Sequence, residues 1–300
     1  MNEPLEPTLH PQHLADLRRS GLSDEQIRRC GFHSSSDAAQ VARWLRWEKP
    51  AKALGSCLCI PFFSADGERL EYVRVKPDTP RKSKMGGKPI KYESPVRSPN
   101  RAYFPPSTRA ALADASRMLI VTEGEKKSAK ADQEGFACIG LVGVYGWMKG
   151  RPRNAMGKGE GPRELIPDLA EIAWRRRKVY IGLDSDWATN PNVRWAEWHL
   201  AEVLRAAGAE VFVLRVPAAA DGSKQGLDDF LIAAGVDGLN GLIAAAESVQ
   251  QPEREAREVP EILIGTDEHR VNDEACAALG AEADVFQRGG ALVYLMEQPE

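Results

Sequence analysis

Two aspartates separated by one serine follow a short apolar run, and this pattern could bind a metal ion. The run is KVYIGLDSDW, residues 178–187, in which Asp184 and Asp186 come after five hydrophobic or glycine positions. Such a run predicts a strand buried on both faces. If extended geometry persists through the aspartates, both carboxylates project to one side. Neighbouring carboxylates repel unless a cation joins them, and hard oxygen ligands suit Mg²⁺ or Mn²⁺, so the pair predicts a divalent cation site.

A third carboxylate follows another predicted buried strand. The run MLIVT, residues 118–122, ends at Glu123-Gly124. In an open α/β sheet the carboxyl ends of parallel strands share one edge, where ligands bind. If the two strands are neighbours, Glu123 meets Asp184 and Asp186 at that edge. Either divalent cations or basic side chains would then have to neutralise the three acids.

Basic segments flank these acids in the sequence. The segment RKSKMGGKPIKY, residues 81–92, has five basic residues, two adjacent glycines and no acid. Its composition fits either a phosphate-binding segment or a solvated lysine-rich loop. Lys126 and Lys127 come three and four positions after Glu123 and would lie beside the predicted site.

Strands and helices alternate from residue 118 onward. Strands are predicted at 118–122, 137–143, 179–183 and 210–217, with helices at 125–134, 165–177 and 190–207. Two shorter helices are predicted within 222–232 and 237–247. This alternation predicts an α/β fold with a mainly parallel sheet flanked by helices and joined by right-handed crossovers.

A small helical segment and a β-rich subdomain precede the sheet. Three short helices are predicted between residues 13 and 48, and a β-hairpin at 57–75 turns at Ala65-Asp66-Gly67. After the sheet we expect a linker, then a strand, a helix and a hairpin turned at Gly289-Gly290. The predicted organisation is 1–50 helical, 51–110 β-rich and basic, 111–248 the α/β domain, 249–260 a linker, and 261–300 a small αβ module or the start of a larger domain.

Composition excludes several classes of protein. The chain has 300 residues, 43% hydrophobic and 28% charged, with a formal net charge of −3. No apolar run approaches membrane-spanning length and the amino terminus is not a signal peptide, so we expect no membrane partner and a cytoplasmic location. The five cysteines form no C-x-x-C pair, which argues against a structural zinc site.

These motifs together carry a resemblance. A strand ending in Glu-Gly, about sixty residues before a strand ending in Asp-x-Asp, resembles the TOPRIM domain of topoisomerases, bacterial-type primases and related nucleases. The flanking segments IPFFSADG, YVRV, KYESP, AYF, LIVTEGEKKS and GLDDFL follow the order of the bacterial primase catalytic core. With GVYGW and K-x-GLDDFL, the set is similar to the TOPRIM-like family of plasmid, phage and integrative-element replication proteins. The resemblance covers residues 13–247.

The resemblance implies metal-dependent nucleotidyl transfer, namely primase-like primer synthesis in the replication of a mobile genetic element. Asp184 and Asp186 would hold Mg²⁺ or Mn²⁺, and Glu123 would complete the cation site or accept a proton from the attacking hydroxyl. Asp228, within GLDDFL, would bind a second cation or be one of the acids favoured at a helix N-terminus. Nucleotide or nucleic-acid phosphates would contact Arg74, Lys82, Lys84, Lys88, Lys91, Tyr92, Lys126 and Lys127. The implied partners are single-stranded DNA or RNA, nucleoside triphosphates and a replicative helicase.

Two other functions stay open on the same residues. A TOPRIM nuclease would use the cations to activate water, and a non-catalytic nucleic-acid-binding accessory module would load or tether a helicase. The primase pattern has an acid four positions after its glutamate, whereas this chain has Lys127, and no glycine follows Asp-Ser-Asp. We expect no zinc-binding module ahead of the core. GVYGW does not match a phosphate-binding loop of the G-x-x-x-x-G-K-[ST] type, so an ATP-driven helicase is not expected.

Overall fold

A computed structural model describes most of the chain. The described residues are 8–83, 87–154, 159–253, 277, 285–288 and 291–294. The chain divides into two compact units, Met1–Pro252 and Glu253–Glu300. Among the described residues, no helix combines the length and apolar character needed to cross a membrane. The predicted divisions at residues 50 and 110 stay predictions.

The first unit begins with three helices and a small antiparallel sheet. These elements are α1 (Pro11–Arg19), α2 (Asp24–Cys30), β1 (His33–Ser35), α3 (Ala38–Leu45), β2 (Cys57–Phe63) and β3 (Arg69–Pro77). The strand order is β1-β2-β3. The predicted helices and hairpin are confirmed, with ends that differ by a few residues. Strand β1 was not predicted, because three residues carry too little periodicity to be recognised.

Helix α2 shows how local sequence fixes an element. Its N-cap Ser23 accepts a hydrogen bond from the backbone N–H of Gln26 at 3.2 Å. The helix ends at Gly31, whose φ of 70° is a left-handed conformation that glycine adopts without strain. Both ends of α2 can therefore be predicted from the residue types alone.

The second part of this unit is a five-stranded sheet with helices on both faces. Its elements are α4 (Arg109–Leu112), β4 (Leu119–Glu123), α5 (Glu125–Gln133), β5 (Cys138–Leu141), α6 (Pro167–Ala170), β6 (Lys178–Gly182), α7 (Pro191–Ala206), β7 (Glu210–Val213), α8 (Leu227–Ala244) and β8 (Glu247–Ser248). The strand order is β5-β4-β6-β7-β8, with parallel pairing except for the antiparallel pair of β7 and β8. The predicted fold class is confirmed.

Alternating side chains of the strands build two cores. In β4, Val121 packs in a core that includes Leu200 of α7. Its neighbour Ile120 packs in a different core with Phe230 of α8. Because successive side chains of a strand point to opposite faces, the uninterrupted apolar run signalled a strand covered on both sides.

The helix predicted at 165–177 is wrong for most of its length, because only α6 is helical there. Arg176 has a φ of 60° and breaks any helix before β6. The buried guanidinium of Arg177 donates to the carbonyl oxygens of Ala111 at 3.0 Å and Leu112 at 2.9 Å. These tertiary hydrogen bonds override the local preference for a helix. The two short helices predicted after residue 222 form α8, which kinks at Gly235.

The second unit contains an antiparallel strand pair, β9 (Val285–Arg288) and β10 (Ala291–Tyr294), with Arg288 opposite Ala291. The predicted hairpin is confirmed by these strands, while its turn at Gly289-Gly290 lies outside the described residues. The predicted strand before the hairpin and most of the predicted linker also lie outside them, and of the predicted helix only residue 277 is described, as helical.

Candidate active site

The acids meet at one edge of the parallel sheet. Strands β4 and β6 are neighbours, with Thr122 opposite Gly182, so Glu123 and Asp184 lie one and two residues beyond this pair at the same edge of the sheet. The chain leaves β4 for β5 on one side and then enters β6 on the other. Ligands bind in the crevice that opens at such a switch in strand order. The condition on which the sequence analysis based the meeting of these acids, that the two strands are neighbours, is therefore met.

The Asp-Ser-Asp segment itself is a turn and not a continued strand. Extended structure ends at Gly182, and residues Ser185–Ala188 form a 3₁₀ turn. Two hydrogen bonds hold Ser185 in this turn: its N–H donates to the carbonyl oxygen of Gln225 at 3.0 Å, and its Oγ accepts from the Gln225 N–H at 2.8 Å. The expectation that strand alternation aligns the carboxylates is therefore wrong. The tie to the loop before α8 orients them instead.

Two lysines neutralise the aspartates. Lys224 Nζ lies 3.1 Å from Asp184 Oδ2 and 3.0 Å from Asp186 Oδ2, so one ammonium bridges both side chains. Lys127 forms an ion pair with the other oxygen of Asp184, a residue that is only 7% exposed. Burial opposes the charge of Lys224, but the two aspartates outweigh it and raise its pKa. Lys224 was not predicted as a site residue, because nothing in its local sequence places it beside residues 38 and 40 positions earlier.

Glu123 and Asp228 are the less neutralised acids. Burial raises the pKa of Glu123; Lys127 opposes this rise and the Asp184 carboxylate adds to it. Asp228, in the first turn of α8, is 6% exposed, and burial also raises its pKa. Its Oδ1 has no hydrogen-bond partner among the described residues. The neighbouring Asp229 accepts from the Gly226 N–H at 3.2 Å and so fills the helix-capping role.

A cavity of about 200 Å³ opens beside these acids, between β3 and α5. It is lined by Arg74, Tyr92, Glu123, Gly124, Glu125, Lys126, Lys127, Leu141, Val142, Gly143 and Asp228. The structure thus brings four of the predicted binding residues into one place with Glu123 and Asp228. Neither Asp184 nor Asp186 is among the residues that line this cavity.

Arg74 and Tyr92 form one wall of the cavity. The guanidinium of Arg74 lies 5.1 Å from the centre of the Tyr92 ring, and its Nε donates to Ser94 Oγ at 3.1 Å. Arg74 also forms an ion pair with Glu125, which is 3% exposed. Glu125 was missed by the sequence reasoning, since its neighbour Glu123 carried the recognisable pattern. This pair holds the β-rich part of the chain against α5.

Lys126 also contacts helix α1, and the described lysines of the 81–92 segment do not line the cavity. Lys126 Nζ is 3.2 Å from Asp16 Oδ2 on α1, a carboxylate that also binds Lys76. Burial opposes the charge of Asp16, yet the two lysines lower its pKa overall. The exposed residues Lys82, Lys88 and Lys91 do not line the cavity, and Lys84 lies outside the described residues.

The aspartates fit a divalent cation by donor type but are not arranged as a finished metal site. Within the described ranges, no three His, Cys, Asp or Glu side chains are grouped so that they could hold a metal ion. Asp186 Oδ1 is buried and has no hydrogen-bond partner in these ranges, so this oxygen atom can still bind a cation. The other described contacts of the pair are with the ammonium groups of Lys127 and Lys224. A cation at Asp184 and Asp186 would therefore compete with the lysines.

Comparison with known sequences gives relatives without a described activity. A family model described as Domain of unknown function (DUF3854) matches residues 110–238. An uncharacterized protein of Picosynechococcus sp. is 29% identical over 191 residues, which are 55% of this chain and 19% of that protein. The match thus spans about one fifth of the curated relative.

Solved structures of bacterial primases share the architecture. The DnaG catalytic core matches with a TM-score of 0.52 and 14% identity, over 91% of this chain and 78% of that one. The DnaG catalytic domain bound to single-stranded DNA matches with 0.52 and 15%, over 80% and 73%. The Aquifex aeolicus primase, with its zinc-binding and RNA polymerase domains, matches with 0.51 and 14%, over 79% and 56%. The chain therefore has the fold of the bacterial primase catalytic core.

Proposed function

We propose that this chain catalyses primase-like nucleotidyl transfer, joining nucleotides from nucleoside triphosphates on a single-stranded template during replication of a mobile genetic element. The observation that most supports this proposal is the meeting of Glu123 and Asp184, from neighbouring parallel strands, beside a cavity lined by basic and aromatic side chains. The primase-like fold supports the reaction class. The mobile-element setting rests on the sequence resemblance alone.

In this proposal the acidic residues have different roles. Asp184 and Asp186 hold Mg²⁺ or Mn²⁺, which when bound stabilises the negative charge that develops on the triphosphate oxygens. The carboxylate of Glu123 accepts the proton of the attacking hydroxyl. Burial raises the pKa of Glu123, which makes its carboxylate a stronger base than an exposed glutamate. We assign Asp228, whose Oδ1 lacks a hydrogen-bond partner among the described residues, to a second cation site.

Basic and aromatic groups bind the substrates. Lys127 and Lys224 bind triphosphate oxygens when the aspartates turn to the cation. Tyr92, held beneath Arg74, offers a ring for contact with a base. Template phosphates bind the exposed lysines of the 81–92 segment, where electrostatic attraction needs no fixed geometry.

A primer-extension assay tests the proposal. The full chain is incubated with single-stranded DNA, labelled nucleoside triphosphates and Mn²⁺ or Mg²⁺. Asp184→Ala should lower extension by more than about 100-fold, the scale of losing one electrostatic contact to a transition state. Asp237→Ala is the matched control, because Asp237 is exposed and lies outside the cavity lining.

Each outcome has a distinct meaning. Metal-dependent extension that is lost in Asp184→Ala and kept in Asp237→Ala supports nucleotidyl transfer. Shortening of the DNA supports the nuclease instead, and binding without either reaction supports a non-catalytic accessory role, for example beside a replicative helicase. Extension that survives Asp184→Ala contradicts the assignment of this site.

A further inference from the structure

The acid centre already contains positive charge of its own. Glu123, Asp184 and Asp186 contribute three carboxylates, while Lys127 and Lys224 contribute two ammonium groups in contact with the aspartates. Three of the four aspartate oxygens are engaged by these ammonium groups, and Asp186 Oδ1 is the one without a partner among the described residues. The lysines thus occupy coordination positions that a divalent cation would need.

The two lysines are anchored differently. Lys127 belongs to α5 and packs against Gly226, where an added Cβ atom would lie 2.6 Å from Lys127 Cε and 2.8 Å from Asp228 Oδ1. Lys224 lies in the loop before α8, and its side chain is 51% exposed. Only the backbone next to it is fixed, through the paired hydrogen bonds between Gln225 and Ser185. Lys224 can therefore leave the aspartates without disturbing the fold, whereas Lys127 has little room to move.

We propose that Lys224, supported by Lys127, acts as an internal cation that prevents tight metal binding at the acid centre until a nucleoside triphosphate binds. A divalent cation then binds tightly only together with nucleotide. The inference rests on the proposed function, which supplies the triphosphate as ligand. It assigns Lys224 a role in controlling when the acid centre binds a metal ion.

The argument is electrostatic. A divalent cation arriving alone must either displace the ammonium group from both aspartates or bind close to it, and both routes weaken binding. A triphosphate offers the ammonium group phosphate oxygens in exchange for the aspartate oxygens. The aspartate oxygens would then become free to hold a cation while the phosphates are bound beside them. Nucleotide and metal therefore assist each other's binding, as linkage requires.

Mn²⁺ binding to the full chain without nucleotide is the direct test. Lys224→Met removes the bridging ammonium group and should tighten Mn²⁺ binding by about tenfold or more, because a repulsion between close charges is lost. Lys224→Arg keeps the charge and should bind Mn²⁺ as weakly as the wild type. Lys149→Met is the matched control, since Lys149 forms an equivalent ion pair with Glu164 at 2.8 Å on an exposed surface. Titration calorimetry and the spin-resonance signal of free Mn²⁺ both measure the affinity.

A second titration adds a non-hydrolysable nucleoside triphosphate analogue. It should tighten Mn²⁺ binding to the wild type by about tenfold more than to Lys224→Met, because only the wild type gains from moving the lysine. Equal Mn²⁺ affinity of wild type and Lys224→Met in the absence of nucleotide overturns the inference. Equal tightening in Lys149→Met overturns it as well, since net charge alone would then explain the effect.

The inference and the proposed function fail in different experiments. If Lys224→Met tightens Mn²⁺ binding but no variant extends a primer, the internal cation stands and nucleotidyl transfer does not. If the wild type extends primers while Lys224→Met leaves Mn²⁺ affinity unchanged, nucleotidyl transfer stands and the internal cation does not.

Discussion

The ion pair between Arg74 and Glu125 is the contact whose loss should most disturb the cavity wall. Its side chains are 12% and 3% exposed, and it joins β3 to the first turn of α5. Removing one partner of a buried pair leaves a charge without compensation, which destabilises a protein by about 3–5 kcal/mol. Replacing both partners by apolar side chains of similar size is often close to neutral.

The structure predicts unequal effects for the two single substitutions. Arg74→Met leaves the Glu125 carboxylate buried without its guanidinium, so we expect a loss of about 4–5 kcal/mol in the free energy of unfolding at pH 7. Glu125→Met leaves Arg74 with the Ser94 hydroxyl and the Tyr92 ring, so we expect about 3 kcal/mol. The double variant should lose less than the sum, with a coupling free energy of at least about 2 kcal/mol.

Urea unfolding followed by tryptophan fluorescence measures the four members of this cycle. The matched control is the cycle of Arg18 and Asp24, whose side chains are more than half exposed and whose coupling should be much smaller because water screens it. Additive single effects in the buried cycle, or a coupling no larger than in the exposed one, would refute the reasoning.

Two further substitutions test the packing and charge of the site. A Cβ atom at Gly140 would lie 2.6 Å from Ser128 Oγ and 2.9 Å from the carbonyl oxygen of Gly124, so Gly140→Ala should lower the free energy of unfolding by about 1–3 kcal/mol in urea titrations. Gly150→Ala, with no atom within 4 Å, should have little effect, and a similar loss in both variants would contradict the steric explanation. Burial raises the pKa of Asp228, so the folded state holds that proton more tightly than the unfolded state and loses stability as the pH rises through the titration of this group. Asp228→Asn should therefore increase the free energy of unfolding at pH 7 by on the order of 1 kcal/mol, with no gain at acidic pH; a gain independent of pH would contradict this cause.

The sequence by itself determined the elements that carry the acids. Uninterrupted apolar runs indicated β4 and β6, because strands covered on both faces need hydrophobic side chains at every position. The acids Glu123 and Asp184 stand just where these runs stop, and parallel strands bring such ends to one edge. The caps of α2 could also be predicted from the sequence, because the capping hydrogen bonds of Ser23 and Gly31 are made with backbone groups a few residues away.

Only the tertiary structure decided which charges meet. Lys224 reaches Asp184 and Asp186 because Ser185 binds Gln225, a contact between residues 40 positions apart that no local pattern reveals. In the same way, Arg177 lies within the predicted helix at 165–177 but instead binds carbonyl oxygens 65 and 66 positions earlier. Periodicity and caps act over a few residues and can be read along the chain. Ion pairs depend on distances in space, so the lysines that face the aspartates become known only when the fold brings them together.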